Sequence, residues 1–277
     1  MLPDVAFECR DEPQARDFVG PSGEILADLL QRRFGASLVW ATDTATGDGY
    51  GSGARLEMTL SEYLDWWSGT RDGDRRLYVK DWHFVAEQRG RYTPYDTPDH
   101  FQDDWLNQWC DNQAGSGVTT ADYRFLYLGP EGSWTPLHSD VLKSYSWSAN
   151  VAGRKLWWLL HPELTWLIYD RTGRVLAPSL FPELAPVDLG RRNPGNMPEV
   201  EGQDLLALLE SCKAAWREGP DGGPFPFLPL ARALALHVDQ GPGDALFVPS
   251  AWHHMVGFVS QALTGLVSCR SMCDRWG

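Results

Sequence analysis

From Tyr123 onward the chain runs as short apolar segments, each closed by a Gly or Pro turn: "YRFLYLG", "SYSWSANVAG", "RKLWWLLHP", "ALALHVDQ", "ALFVPS" and "TGLVSC". Segments this short, rich in β-branched and aromatic residues, predict strands, and several in succession predict a sandwich or barrel. The fold class expected is therefore mainly β. A jelly roll, or double-stranded β-helix, is the variant with room between its sheets for a metal or small molecule.

Upstream the pattern is mixed α/β. "GPSGEILADLLQRRFG" (20–35) places Ile25, Leu26, Leu29 and Leu30 at helical spacing, and "MTLSEYLDWWSG" (58–69) predicts a second helix capped by Thr59 or Ser61. "RRLYVKDWHF" reads as a strand after a turn at "RDGD" (71–74). The 277 residues fit one large domain. We divide it into an N-terminal flank (1–120) and a jelly-roll core (121–277) with an insertion at about 163–230. That insertion is rich in Pro and Gly and carries one amphipathic helix, in "GQDLLALLESCKAAWREG"; its apolar content is too small for a core of its own.

Several classes are disfavoured at this stage. The net charge of −13 repels phosphate backbones, so no direct nucleic-acid partner is expected. Five cysteines, odd in number and scattered, do not form a disulfide framework and point to a reducing compartment, cytoplasmic or also nuclear. Neither a signal peptide nor a membrane-spanning run is expected. The fourteen Trp need burial or a partner for the indole N–H. Trp134, Trp147 and Trp252 flank the histidines discussed next, where core packing and substrate contact are both open readings.

His138 and Asp140 stand two apart, so on a strand they share a face and can share one ion. Two histidines and one carboxylate on one triangular face make a non-haem iron site, so this pair requires a further histidine. The pattern recurs at His237 and Asp239, which we read as strand-end residues, and Arg154 as surface or ion-pair material.

The motifs "LYVKDWH", "DYRFLYLGPEGSWTPLHSDVLKSYSWSANVAGRK" and "ALFVPSAWHHMV" together resemble the jumonji-C family of Fe(II)- and 2-oxoglutarate-dependent oxygenases, from about Leu77 to Val256. They are most similar to the branch that hydroxylates a lysine of the eukaryotic translation release factor. The resemblance implies a cupin-like jelly roll, with Fe(II), 2-oxoglutarate and molecular oxygen as cofactor and cosubstrates. It implies His138 and Asp140 as the first two ligands and, of the neighbours His253 and His254, the latter as the third. It further implies Lys155, Tyr78 and Thr135 as donors to the distal carboxylate of 2-oxoglutarate, with Ser148 where related enzymes place an asparagine near the cosubstrate. Ser268 stands about where the family has another Asn, and relatives continue into a helical segment associated with dimerisation.

The implied activity is protein hydroxylation, of a lysyl side chain, with a translation release factor as the protein partner. An N-methyl-lysine demethylase using the same iron chemistry is the alternative enzyme. A jelly-roll binding protein without turnover is the alternative of another class.

Overall fold

The computed structural model describes residues 6–8, 15–45, 53–69, 75–89, 91–92, 95–113, 122–182 and 204–269. Eight strands after residue 123 build two facing sheets: β5 (Arg124–Gly129), β6 (Trp134–Ser139), β7 (Tyr145–Ala152), β8 (Lys155–Leu160), β9 (Leu236–Gln240), β10 (Asp244–Val248), β11 (His253–Phe258) and β12 (Ala262–Cys269). β6, β11, β8 and β9 form a four-stranded sheet in that order, and β10, β7, β12 and β5 lie side by side in the other. The chain thus changes sheet at every connection except β8 to β9, which is the winding of a jelly roll. The turn from β7 to β8 depends on Gly153, at φ +81°, where a Cβ would stand 1.8 Å from the Gln261 carbonyl oxygen.

The N-terminal flank extends the larger sheet. β1 (Ala6–Glu8) pairs with β10 at one edge. At the other edge, β4 (Leu77–Trp82), β2 (Leu38–Asp43) and β3 (Arg55–Thr59) follow β5, making eight strands. β2 and β3 were not anticipated, although Val39, Ala41 and Asp43 alternate as buried residues with the more exposed Leu38, Trp40 and Thr42. Helices α1 (Ala27–Phe34) and α2 (Leu60–Ser68) pack on this extension. Thr59 caps α2 as expected: its hydroxyl accepts the Glu62 N–H while the Glu62 side chain accepts the Thr59 N–H. α3 (Phe84–Glu87) and α4 (Trp105–Gln113) complete the flank. The turn expected at 71–74 lies outside the described residues.

Every residue of β8, "KLWWLL", is buried, which a strand with one wet face would not show. Trp157 and Leu159 face the space between the two sheets, where they meet Tyr78, Leu246, Val256 and Phe258. Leu156, Trp158 and Leu160 face the other way, into a cluster with Leu167, Leu180, Leu228 and Ala231 from the segment between β8 and β9. That segment carries α5 (Leu205–Arg217), capped by Asp204, and α6 (Leu228–Leu234), and it covers the outside of the smaller sheet. Its apolar residues share a core with the sheet, as their small number requires. Truncating Trp157 or Trp158 to alanine would cost about 3–5 kcal/mol.

Candidate metal centre

β6 and β11 are antiparallel neighbours, and their register sets His138 directly opposite His254. The two rings lie 4.3 Å apart between centroids. Asp140 follows β6 with extended backbone, so its carboxylate returns to the face that His138 occupies. Its Oδ1 stands 3.9 Å from Nε2 of each histidine. One atom from each of the three side chains falls within 4.8 Å of the others.

Each part of this trio is oriented from behind. The Nδ1–H of His138 donates to the Pro136 carbonyl at 2.8 Å, and that of His254 to the Trp252 carbonyl at 3.3 Å, so both Nε2 lone pairs point at the shared space. Ser146 on β7 donates its hydroxyl to Asp140 Oδ2 at 2.6 Å, leaving Oδ1 for the ligand position. Burial, and then His254, hold His138 well below the usual histidine range, in the neutral form that binds metal. Two imidazoles and one carboxylate on a single triangular face match the donor set for non-haem Fe(II). The residues fit the ion.

The trio lies in the wall of a cavity of about 690 Å³, within the range of small-molecule sites. Tyr78, Thr135 and Lys155 line the same cavity. Lys155 is only 3% exposed, and its amine lies 5.1 Å from the Phe258 ring centroid and 5.5 Å from that of Trp157. Burial alone pushes this amine well below the ordinary lysine range, and among the described residues no carboxylate pairs with it. A buried amine that faces a cavity with no ion-pair partner of its own is a strong site for a ligand carboxylate. Burial pushes the Tyr78 hydroxyl the opposite way, far above its ordinary value, while Thr135 opposes the shift.

Other expected residues stand apart. His253 faces away from the cavity, where its Nδ1 meets the Thr165 hydroxyl at 3.2 Å; alternation along β11 therefore separates the two adjacent histidines. Ser148 is fully buried between the sheets, its hydroxyl 3.3 Å from that of Thr264, and it does not line the cavity. Ser268 pairs with Ser146 along the backbone, and its side chain lies outside the described residues. Trp134 packs in the outer cluster, Trp147 stacks on Phe101 at 5.3 Å, and Trp252 meets the His161 ring at 5.1 Å. Trp157 is the tryptophan lining the cavity. Arg154 pairs with Asp239 on the surface.

The cavity also contains residues that sequence reasoning passed over, chiefly Lys80, Asp81, Asp122 and Tyr127. Lys80 was within reach, since it stands two after Tyr78 on one strand and so shares its face. Asp81 carried no such signal, because it enters through an irregularity between Val79 and Trp82 in the pairing of β4 with β5.

A jelly roll that holds a 2-His-1-carboxylate face beside a buried lysine defines the class, and sequence comparison agrees. The chain belongs to the Cupin-like domain family, whose profile matches residues 41–268, and is of its jumonji-C type. It is 35% identical over 266 residues to arginine-specific demethylase JMJ20 of Arabidopsis thaliana, covering 92% of this chain and 49% of that protein. It is 32% identical over 246 residues to the human 2-oxoglutarate and iron-dependent oxygenase JMJD4 (87% and 49%), and 30% identical over 246 to the chicken protein of that name (87% and 48%). The chain thus spans about half the length of these relatives.

Proposed function

We propose that the protein is an Fe(II)- and 2-oxoglutarate-dependent dioxygenase that hydroxylates a protein side chain. The observation that carries this is the placement of the His138–Asp140–His254 face and the unpaired buried amine of Lys155 in one cavity. Fe(II) held there supplies the chemistry that couples oxidation of 2-oxoglutarate to oxidation of a substrate C–H bond. The protein's part is placement. His138, Asp140 and His254 would hold the ion. Lys155, Tyr78 and Thr135 anchor the distal carboxylate of the cosubstrate, and Trp157, Val256 and Phe258 keep water from that end. Related proteins named 2-oxoglutarate and iron-dependent oxygenase support this reading.

For the substrate, we favour a lysyl side chain of a translation factor, the release factor first among candidates, which the sequence resemblance motivates. The reaction would then take place in the cytoplasm, with the nucleus as a second compartment. A second reading is N-demethylation, favoured by the relative whose name is arginine-specific demethylase. Incubation with release factor, Fe(II), 2-oxoglutarate and oxygen should add one oxygen to the substrate mass. Formaldehyde release from methylated arginyl or lysyl peptides, with no hydroxylated product, would select demethylation instead. A folded protein that binds neither Fe(II) nor 2-oxoglutarate would be a jelly-roll binding protein.

A further inference from the structure

Among the described residues, four non-glycine positions have left-handed backbone: Asp81, Leu142, Lys143 and Ala251. Each lies in or beside a segment that lines the metal cavity. Asp81 lines it, and Leu142 and Lys143 follow its lining residue Val141. Ala251 neighbours Ser250, whose hydroxyl donates to the Lys143 carbonyl at 2.6 Å. Such conformations persist where the surrounding structure enforces them, and an outlier of this kind motivates a functional hypothesis.

Asp81 is the one of the four that brings a charge into the cavity. It sits in the irregularity of β4 at φ +55°, where the local bulge re-aims side chains. Its Oδ1 accepts the Tyr127 hydroxyl at 3.1 Å, and among the described residues no ion pair within 4 Å engages the carboxylate. By contrast, Asp122 is taken by His83 at 3.1 Å and Arg124 at 3.4 Å, and Asp140 belongs to the metal face. Lys80, the residue before it, lies over the Tyr78 ring at 5.8 Å and feels the Asp81 charge without an ion pair to it, and Arg55 lines the same cavity. Asp81 and Tyr127 line the same cavity as His138, Asp140 and His254.

We propose that Asp81, oriented by Tyr127, is the specificity-determining residue of this site: its free carboxylate oxygen receives the cationic head of a lysyl or arginyl substrate side chain and holds the adjoining carbons before the metal face. A fixed carboxylate in a partly desolvated cavity makes strong charge-assisted hydrogen bonds and rejects a neutral isostere that leaves it unpaired. The inference rests on the dioxygenase reading above and applies equally to hydroxylation and demethylation.

The test uses the whole chain and degenerate peptide pools that differ only in a central lysine, arginine, N-methylarginine, norleucine or glutamine. Products are read by mass and formaldehyde release, and the Fe(II)–2-oxoglutarate absorption band is recorded in parallel. The expected result is at least tenfold preference for cationic pools in the wild type. Asp81→Asn should keep the band while bringing cationic pools down to the level of glutamine, and Tyr127→Phe should weaken the preference in part. Equal turnover of norleucine and lysine pools by the wild type, an unchanged preference in Asp81→Asn, or no turnover of any pool by protein that shows the band would overturn the assignment and leave the dioxygenase reading standing. Absence of the band in folded wild type would overturn both.

Discussion

His-x-Asp occurs twice in one four-stranded sheet, at the outer strands β6 and β9, and the two copies face opposite ways. In the first, Leu137 points out into the insertion cluster and His138 points between the sheets, opposite His254. In the second the parity is inverted: Val238 packs between the sheets, while His237 pairs with Trp158 and lays its ring 5.4 Å from that indole, on the outer side. Asp239 then meets Arg154 at the surface. The tripeptide is therefore not a metal site by composition. It becomes one when strand parity turns it inward and the neighbouring strand brings a second imidazole to the same height.

The comparison predicts its sharpest contrast in ligand substitutions. His138→Ala or His254→Ala should lose Fe(II) affinity by more than the roughly 10–100-fold that removal of an orienting partner costs. His237→Ala and Asp239→Asn should leave it unchanged, with stability altered by less than about 1 kcal/mol for the exposed ion pair. Equilibrium binding of Fe(II) and thermal unfolding of the four variants measure both.

Lys155→Met should abolish 2-oxoglutarate binding and yet stabilise the ligand-free protein, by on the order of 1–3 kcal/mol, because an unpaired buried polar group is removed. The sign follows from linkage. The amine of Lys155 is held below its unfolded value, so between the folded and the unfolded values the unfolded chain keeps a proton that the folded one releases, and ligand-free stability rises with pH toward the unfolded value. Lys155→Met should flatten that rise, as unfolding at several alkaline pH values would show.

Ser146→Ala should lower Fe(II) affinity roughly tenfold, since Asp140 then loses the bond that orients it. A smaller effect concerns pH on the acid side. His138 is depressed in the fold, so its contribution to stability is complete above the unfolded histidine value of about 6.5 and is lost as pH falls through the folded value. His138→Gln should weaken that acid sensitivity, and His237→Gln should do so less, because His237 is exposed and its shift arises from weaker burial.

Much of this site was legible because its chemistry repeats with strand periodicity. His138 and Asp140 share a face by their spacing; alternation says that only one of His253 and His254 can join them, and the resemblance chose His254. Lys155 was implied by the resemblance, and its inward direction agrees with the parity of Trp157 and Leu159 on the same strand. Ser148 obeys the same parity and does face inward, but at a level where Thr264 occupies its hydroxyl, and height within the sandwich is not written in spacing. Asp81 was invisible for a different reason: the irregularity in β4 breaks the two-residue period on which the reading depends. The continuation of the larger sheet into β2 and β3 was missed because pairing across the flank is a long-range choice that local pattern does not encode.

The most direct measurement is an anaerobic titration with Fe(II) and then 2-oxoglutarate, following the visible metal-to-ligand charge-transfer band in the wild type, His138→Ala and His237→Ala. The account predicts the band in the wild type and in His237→Ala, and its loss in folded His138→Ala. A folded wild type without the band, or a band that survives in His138→Ala, would contradict it.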